Sequence, residues 1–179
     1  MATRSIIYLV GFMGSGKSTA GEKLAGLLGW SFIDLDRKIE EHTGKKISDI
    51  FSDNGEEYFR QKETELLRNL ESQNSAVIST GGGAPCYGDN MDHMLKTGLT
   101  IYLKMTPQEL HCRLSGSSGK RPLIKGMSDK QLLAFIQEKL ESRENCYNRA
   151  DIIVDSMNLD LNSLLNLIKI RNDQLSIQF

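Results

Sequence analysis

A glycine-rich run near the N-terminus carries the residues most able to do chemistry. Residues 11–18, with the sequence GFMGSGKS, fit the pattern G-x-x-x-x-G-K-[ST]. In this pattern the glycines let successive backbone N–H groups point at a phosphate, the lysine reaches the terminal phosphates, and the hydroxyl binds Mg²⁺. The run therefore predicts a site for a nucleotide polyphosphate, with Lys17 offsetting its charge and Ser18 as a metal ligand.

The segments on either side of this run supply the structure that the pattern needs. Residues 6–10 form a continuous apolar run, which is typical of a strand buried on both faces of a parallel sheet. Apolar and small residues then recur at helical spacing from residue 17 to residue 28, and Gly29 follows as a stop signal. The alternative, a glycine turn with a chance Lys-Ser pair, would require neither flank.

Two acidic residues follow the second apolar run, in the triplet Asp34-Leu35-Asp36. If the chain is extended there, alternation points both carboxylates toward the crevice at the carboxyl edge of the sheet. One would approach Mg²⁺, and the other would accept a proton or hydrogen bonds from an acceptor hydroxyl. The alternative is a helix N-cap at Asp34 or Asp36, which explains one of the two residues better than both.

Two further features suit a binding site for the phosphate acceptor. Gly81-Gly82-Gly83 follows the third apolar run, where the absence of side chains lets a hydroxylated or anionic ligand approach the backbone; a plain flexible turn is the alternative. Arg60 and Glu63 are one helical turn apart, so the carboxylate could hold the guanidinium in place, although a surface ion pair would have the same spacing.

Five short apolar runs alternate with segments of helical periodicity. They lie at residues 6–10, 32–33, 76–78, 99–103 and 152–154. This alternation predicts an α/β fold in which a five-stranded parallel sheet lies between two layers of helices, with the ligand crevice at the carboxyl ends of the strands. Two segments interrupt it: residues 40–68 are long and helical, and residues 115–126 are rich in Gly and Ser, as expected for a mobile lid.

Composition limits the partners and the compartment. Lys and Arg number 22, Asp and Glu number 23, and the two signs are interspersed, so the chain lacks the charge pattern of a nucleic-acid or anionic-membrane binder. The N-terminal apolar run is too short to span a membrane. Cys86, Cys112 and Cys146 are widely spaced, which favours scattered reduced thiols over a disulfide framework or a zinc site. We expect a single-domain, monomeric, cytoplasmic protein with a small-molecule partner.

Six motifs in order along the chain resemble those of the shikimate kinase family. They are residues 11–19, Asp34-Leu35-Asp36, residues 55–60 (GEEYFR) with Glu63, Gly81-Gly82-Gly83, Arg121-Pro122-Leu123, and Arg143 four residues before Tyr147.

The resemblance implies phosphorylation of the 3-hydroxyl of shikimate by ATP and Mg²⁺, in aromatic amino acid biosynthesis. It implies one domain over residues 1–179, with a substrate-binding segment at about 34–63 and a lid at about 115–126. The implied catalytic residues are Lys17, Asp36 and Arg121, and the implied metal-binding residues are Ser18 and Asp34. The implied shikimate contacts are Asp36, Arg60, Gly81, Gly82, Gly83 and Arg143, and the implied nucleotide contacts are Gly14, Ser15, Gly16, Lys17, Ser18, Thr19, Arg113, Arg121 and Asn158.

The residues also fit two other functions. One is a kinase of the same scaffold acting on a nucleoside monophosphate or on a sugar acid such as gluconate; a phosphate-bearing acceptor would call for more arginines than Arg60 and Arg143. The other is a non-catalytic module that binds a nucleotide and reports its state to a partner.

Overall fold

The five apolar runs form the strands of one parallel sheet. The computed structural model describes residues 6–70, 75–116 and 122–175. Within them the strands run in the spatial order β2-β3-β1-β4-β5, and each pairs with its neighbours in parallel register. Their bounds are β1 Ile6–Val10, β2 Ser31–Asp34, β3 Ala76–Ser79, β4 Leu99–Lys104 and β5 Ile152–Asp155. The five-stranded parallel sheet predicted from the sequence is confirmed.

Helices cover both faces of this sheet. Their bounds are α1 Lys17–Leu28, α2 Leu35–Thr43, α3 Ile47–Asn69, α4 Asn90–Thr97, α5 Pro107–Ser115, α6 Asp129–Tyr147 and α7 Leu161–Leu175. Ile6, Tyr8 and Val10 of β1 pack in the core formed with α2 to α6, whereas Ile7 and Leu9 pack in the core formed with α1 and α7. Alternate side chains of one strand thus serve opposite layers, which explains why β1 is apolar throughout and confirms the three-layer architecture.

The long helical segment predicted at residues 40–68 comprises the last turn of α2 and nearly all of α3. Within α3 the backbone leaves helical geometry at Gly55, where φ is 82° and ψ is 172°. The rings of Phe51 and Phe59 pack across this kink with centroids 4.7 Å apart. The part of α3 after the kink carries Arg60 and Glu63 beneath the carboxyl edge of the sheet.

Side-chain caps set the start of the two helices that carry Arg113 and Arg143. Thr106 caps α5 and Ser128 caps α6, each within a reciprocal capping box completed by Glu109 and Gln131 respectively. Such a cap stabilises a helix by about 1 kcal/mol. The register of both helices, and hence the position of both arginines, is therefore set locally.

Part of the predicted lid is outside the described residues. Helix α5 ends at Ser115, and the description resumes with a short 3₁₀ turn, Pro122–Ile124, in which Ile124 is fully buried. The lid at about 115–126 is therefore described only at its two ends, and Arg121 lies outside the described residues. None of the helices within them is long and apolar enough to span a membrane.

Candidate active site

The predicted phosphate loop connects β1 to α1. Its backbone turns back on itself through a hydrogen bond from Ser15 N to Phe12 O of 3.1 Å. Gly16 precedes α1 with a φ of 89°, a conformation that L side chains rarely adopt, and this turn directs the N-terminus of α1 toward the crevice. The loop therefore presents a helix N-terminus and successive backbone N–H groups to an anion.

The Lys17 ammonium group lies over this loop. It donates hydrogen bonds of 2.8 Å to Gly11 O and 2.9 Å to Phe12 O, and its side chain is largely buried. The charge is therefore fixed beside the position where the loop N–H groups converge, which is where a β- or γ-phosphate would be stabilised.

Ser18 lies close to the end of two neighbouring strands. Its Oγ donates a 2.6 Å hydrogen bond to Asp34 Oδ2 and is 3.5 Å from Ser79 Oγ. Within the described ranges no group of three or more His, Cys, Asp or Glu side chains could hold a metal ion by itself. Mg²⁺ prefers oxygen ligands and keeps several waters when it is shared with phosphates, so a hydroxyl beside a carboxylate fits it.

Asp34 and Asp36 both reach the crevice, but they do not lie on one extended strand as predicted. Strand β2 ends at Asp34, and Leu35 is already the first residue of α2. The change occurs because Asp34 is an N-cap whose Oδ1 accepts a 3.2 Å hydrogen bond from Arg37 N. The prediction that both carboxylates alternate along an extended chain is therefore wrong, although both side chains line the same cavity.

Asp36 and Glu63 converge above Gly81. A Cβ atom on Gly81 would overlap Glu63 Oε1 and lie 2.9 Å from Asp36 Oδ1, so only glycine leaves room for both carboxylates. Asp36 reaches solvent at the mouth of the crevice, but protein atoms surround most of its carboxylate. This loss of water raises the pKa of Asp36, and the charge of Asp34 raises it further, whereas Lys17 and Arg60 oppose the rise.

Glu63 is the more deeply buried of these carboxylates. Burial raises the pKa of Glu63 to about 7, although the attraction of Arg60 lowers it. Oε2 accepts a 2.6 Å hydrogen bond from Arg60 Nη1, while Oε1 has no hydrogen-bond partner among the described residues.

Arg60 is held on three sides. Besides Glu63, its Nη2 donates a 3.3 Å hydrogen bond to Glu56, and its guanidinium lies 5.2 Å from the ring centroid of Phe59. A Cβ atom on Gly83 would overlap this guanidinium. The buried arginine is therefore packed flat against the glycine run, and the surface ion pair considered from its spacing is not what the structure contains.

Arg143 approaches the middle glycine from α6. Its guanidinium carbon lies 5.8 Å from the ring centroid of Phe12, and a Cβ atom on Gly82 would lie 3.6 Å from its Nη1. Tyr147, one turn later, is fully buried and donates a 2.5 Å hydrogen bond to Gly82 O. The same helix thus places a cation beside the glycine run and anchors the backbone of that run.

The glycine run separates two cavities of about 430 Å³ each. The first is the phosphate crevice, which is lined by Met13, Gly14, Gly16, Lys17, Ser18, Thr19, Asp34, Asp36, Ser79, Thr80, Gly81, Gly82, Arg113 and Leu114. The second is the acceptor cavity, which is lined by Glu56, Glu57, Arg60, Gly83, Cys86, Tyr87, Ser142 and Arg143. Most of the predicted site residues therefore line one of these two cavities. Ser15, within the phosphate loop, is buried.

The residues expected near the adenine divide into two groups. Arg113 donates a 3.3 Å hydrogen bond to Gly14 O and a 3.4 Å hydrogen bond to Met157 Sδ, and it lines a groove of about 200 Å³ beside the phosphate loop. Asn158 donates a 2.7 Å hydrogen bond to Asp155 and is not among the described residues that line this groove. Arg113 thus lies beside the phosphate loop, whereas Asn158 supports the turn after β5.

Sequence reasoning did not predict three contacts that shape the site. Ser79 lies beside Ser18, Glu56 holds Arg60, and Ser156 donates a 2.5 Å hydrogen bond to Ser15 O in the loop. Ser79 immediately precedes Thr80 and the glycine run at the end of β3, and this position was a usable signal. The contact of Ser156 with the loop joins residues 141 positions apart, and no local pattern indicates it.

The fold and these two cavities define a P-loop kinase. The phosphate crevice carries Asp36, and the cavity beyond the glycine run carries Arg60 and Arg143, as transfer to a small anionic acceptor requires.

Comparison with known proteins gives the family. The model of the family described as shikimate kinase matches residues 13–169. A shikimate kinase of Parabacteroides distasonis is 47% identical over 150 residues, covering 84% of this chain and 87% of the relative. The crystal structure of shikimate kinase from Bacteroides thetaiotaomicron has a TM-score of 0.88 at 38% identity, covering 92% of this chain and 98% of that one. The chain belongs to the shikimate kinase family.

Two further solved structures extend the comparison. Shikimate kinase from Acinetobacter baumannii, solved in complex with shikimate, has a TM-score of 0.80 at 35% identity and covers 96% of this chain and 93% of that one. A gluconokinase from Sinorhizobium meliloti has a TM-score of 0.57 at 19% identity, covering 98% of this chain and 95% of that one. The second likeness shows the shared fold alone.

Proposed function

We propose that this protein phosphorylates the 3-hydroxyl of shikimate with ATP, giving shikimate 3-phosphate for aromatic amino acid biosynthesis. One observation carries the proposal: each glycine of the run lies against one or two charged side chains. Asp36, with Glu63, lies over Gly81, Arg143 lies beside Gly82, and Arg60 packs on Gly83. A carboxylate and two guanidiniums thus form a row that leads away from the phosphate crevice.

This row matches the chemistry of shikimate, which carries one carboxylate and three hydroxyls. Planar guanidiniums bind a carboxylate through paired hydrogen bonds, so Arg60 and Arg143 would hold the acid group. Asp36 would accept a hydrogen bond from the reacting hydroxyl at the end of the row nearest the phosphates. In this structure the exposed Glu56 accepts a hydrogen bond from Nη2 of Arg60, and the acceptor carboxylate would replace Glu56 in that contact.

The chain's own groups would then support phosphoryl transfer. The 3-hydroxyl oxygen bonds to the γ-phosphorus, the bond to the β-phosphate oxygen breaks, and ADP leaves with that electron pair. Asp36 would orient the hydroxyl and receive its proton, for which a raised pKa is useful because a stronger base accepts the proton more readily. Lys17 would stabilise the charge on the phosphoryl oxygens.

Ser18 and Asp34 would hold Mg²⁺, directly or through water. When bound, the ion would neutralise part of the polyphosphate charge. Arg121 would close over the phosphates as a lid residue, and Arg113 would flank the adenine. We also propose that the protein acts as a cytoplasmic monomer without a nucleic-acid partner, because the groups invoked in the reaction all belong to one chain.

An ADP-release assay with three acceptors tests the proposed function. Shikimate, gluconate and AMP are each supplied with ATP and Mg²⁺ to the full-length protein. We expect rapid ADP release with shikimate and only background release with the other two, because neither offers the same spacing of carboxylate and reacting hydroxyl. Faster turnover of gluconate or AMP would favour another acceptor, and background release with all three would favour a non-catalytic nucleotide-binding module.

A further inference from the structure

Two thiols meet in the wall of the acceptor cavity. Cys86 ends the short 3₁₀ turn Ala84–Cys86 that follows Gly83, and Cys146 lies on α6, three residues after Arg143. The two side chains interact with each other, although 60 residues separate them. All three cysteines are free, in agreement with the expectation of reduced thiols, but the proximity of Cys86 and Cys146 was not predicted, whereas Cys112 is exposed on α5.

The backbone contacts of the pair are reciprocal. Cys86 Sγ donates to Arg143 O at 3.9 Å, and Cys146 Sγ donates to Pro85 O at 3.1 Å. Each thiol thus contacts a carbonyl on the element that carries the other, which holds the turn and α6 side by side with the sulfurs facing. Both side chains are only partly buried, so a small oxidant can reach them.

The two thiols differ in reactivity. The neighbouring Cys146 thiol, together with burial, raises the pKa of Cys86. The neighbouring Cys86 thiol lowers the pKa of Cys146, and the nearby positive charge of Arg149 adds to this effect. Cys146 is thus the thiol that ionises more readily, and the thiolate is the nucleophilic form.

We propose that Cys86 and Cys146 form a reversible disulfide when the protein meets a peroxide, and that this disulfide weakens binding of the acceptor. The Cys146 thiolate attacks a peroxide oxygen, the O–O bond breaks, and Cys146 becomes a sulfenic acid as hydroxide leaves and takes up a proton. The sulfur of Cys86 then attacks the sulfenic sulfur and forms the S–S bond. The sulfenic oxygen leaves as water with the Cys86 proton. The net reaction consumes two thiols and one hydrogen peroxide and releases two waters.

The effect on the acceptor follows from what the two cysteines connect. A disulfide requires an S–S distance of about 2.05 Å, so the two sulfurs must approach each other and draw the turn and α6 together. The turn continues from Gly83, on which Arg60 packs, and α6 carries Arg143. Both proposed carboxylate-binding groups would shift relative to each other, whereas Lys17 and Ser18 of the phosphate loop lie on neither the turn nor α6. This kinetic effect rests on the proposed function, but formation of the disulfide does not.

The test compares the full-length wild type with Cys146→Ser and with the matched control Cys112→Ser. Each protein is treated with hydrogen peroxide, quenched with catalase, alkylated and digested without reduction for mass spectrometry. A portion is assayed with varied shikimate and with varied ATP, before and after dithiothreitol.

After peroxide, wild type and Cys112→Ser should yield the Cys86–Cys146 linked peptide. Their KM for shikimate should rise about 10-fold and be restored by dithiothreitol, while the KM for ATP changes little. Cys146→Ser should keep its KM after peroxide.

Two results would overturn the inference. Wild type in which Cys86 and Cys146 remain alkylated while Cys112 is oxidised would show that the pair does not form a disulfide. A linked peptide accompanied by an unchanged KM for shikimate would remove the regulatory role. If the reduced protein turned over no shikimate at all, the proposed function would fail, and the peptide analysis would still decide the disulfide.

Discussion

Arg60 Nη1 donates a 2.6 Å hydrogen bond to Glu63 Oε2, and the Glu63 side chain is completely buried. An exposed pair with the same i,i+3 spacing contributes little, because water and salt screen it. In this pair the carboxylate has no access to water and fixes the cation that faces the acceptor cavity. Removing one partner of such a buried pair leaves the other charge uncompensated.

Replacing Glu63 by Gln should impair binding of the acceptor rather than of ATP. The variant loses the charge that holds Arg60, so we expect the KM for shikimate to rise at least about 10-fold with the KM for ATP within about twofold. Steady-state kinetics with each substrate varied in turn measures both constants. The control is Glu65→Gln, which removes an exposed partner of Lys62 in the same helix with the same spacing. Equal effects of the two variants would contradict the role of Glu63.

Glu63 should also give the protein a distinctive dependence of stability on pH. Its folded-state pKa of about 7 lies above its ordinary value of 4.5, so between these values the folded protein keeps a proton that the unfolded chain has lost. The free energy of unfolding therefore falls as pH rises through this window. Between pH 5 and 7.5 the wild type should lose roughly 1–3 kcal/mol more than Glu63→Gln. Urea unfolding followed by the fluorescence of Trp30, repeated across this pH range, measures the free energy of unfolding. The same pH dependence in the wild type and in Glu63→Gln would contradict the raised pKa of Glu63.

Gly83 should resist substitution because of its contact with Arg60. In Gly83→Ala the new methyl group would overlap the guanidinium, so Arg60 must move and the KM for shikimate should rise at least about 10-fold. Gly26→Ala is the matched control, since it lies in α1 with no atom within 4 Å of the added Cβ. It should stabilise the protein by about 0.5–1 kcal/mol and leave the KM unchanged. An unchanged KM in Gly83→Ala would show that Arg60 is not positioned by this contact.

Two tyrosines in ring contact offer a test of how the glycine run is anchored. Tyr147 and Tyr102 are both buried, with ring centroids 5.1 Å apart, but only the Tyr147 hydroxyl bonds to Gly82 O. The Tyr102 hydroxyl has no partner among the described residues. Tyr147→Phe should lower the free energy of unfolding by about 1–2 kcal/mol, whereas Tyr102→Phe should be neutral or stabilising. Chemical denaturation of both variants measures these free energies of unfolding. A larger loss in Tyr102→Phe than in Tyr147→Phe would contradict the anchoring role of Tyr147.

Sequence patterns correctly predicted the elements whose residues share one environment along their length. Strand β1 and helix α1 have the predicted bounds, because a strand buried on both faces is apolar throughout and the glycines punctuate the helix at each end. The route of Asp36 into the crevice was mispredicted, because the cap formed by Asp34 ends the strand two residues earlier than alternation assumed.

The contacts that complete the site join distant segments, and periodicity does not show them. Tyr147 reaches Gly82 across 65 residues, and Ser156 reaches the phosphate loop across 141. Such contacts depend on the order of strands in the sheet and on how α6 crosses it. The approach of Cys86 to Cys146 has the same origin, and for that reason the spacing of the cysteines gave no indication of it.

The identity of the phosphorylated product tests the central claim most directly. The wild type and Asp36→Asn are incubated with ATP, Mg²⁺ and shikimate, and the product is analysed by phosphorus–proton correlation NMR. We predict a single monoester whose phosphorus couples to the proton at carbon 3, formed at least about 100-fold more slowly by Asp36→Asn. Phosphate on another hydroxyl, release of inorganic phosphate alone, or equal rates for the two proteins would contradict the account.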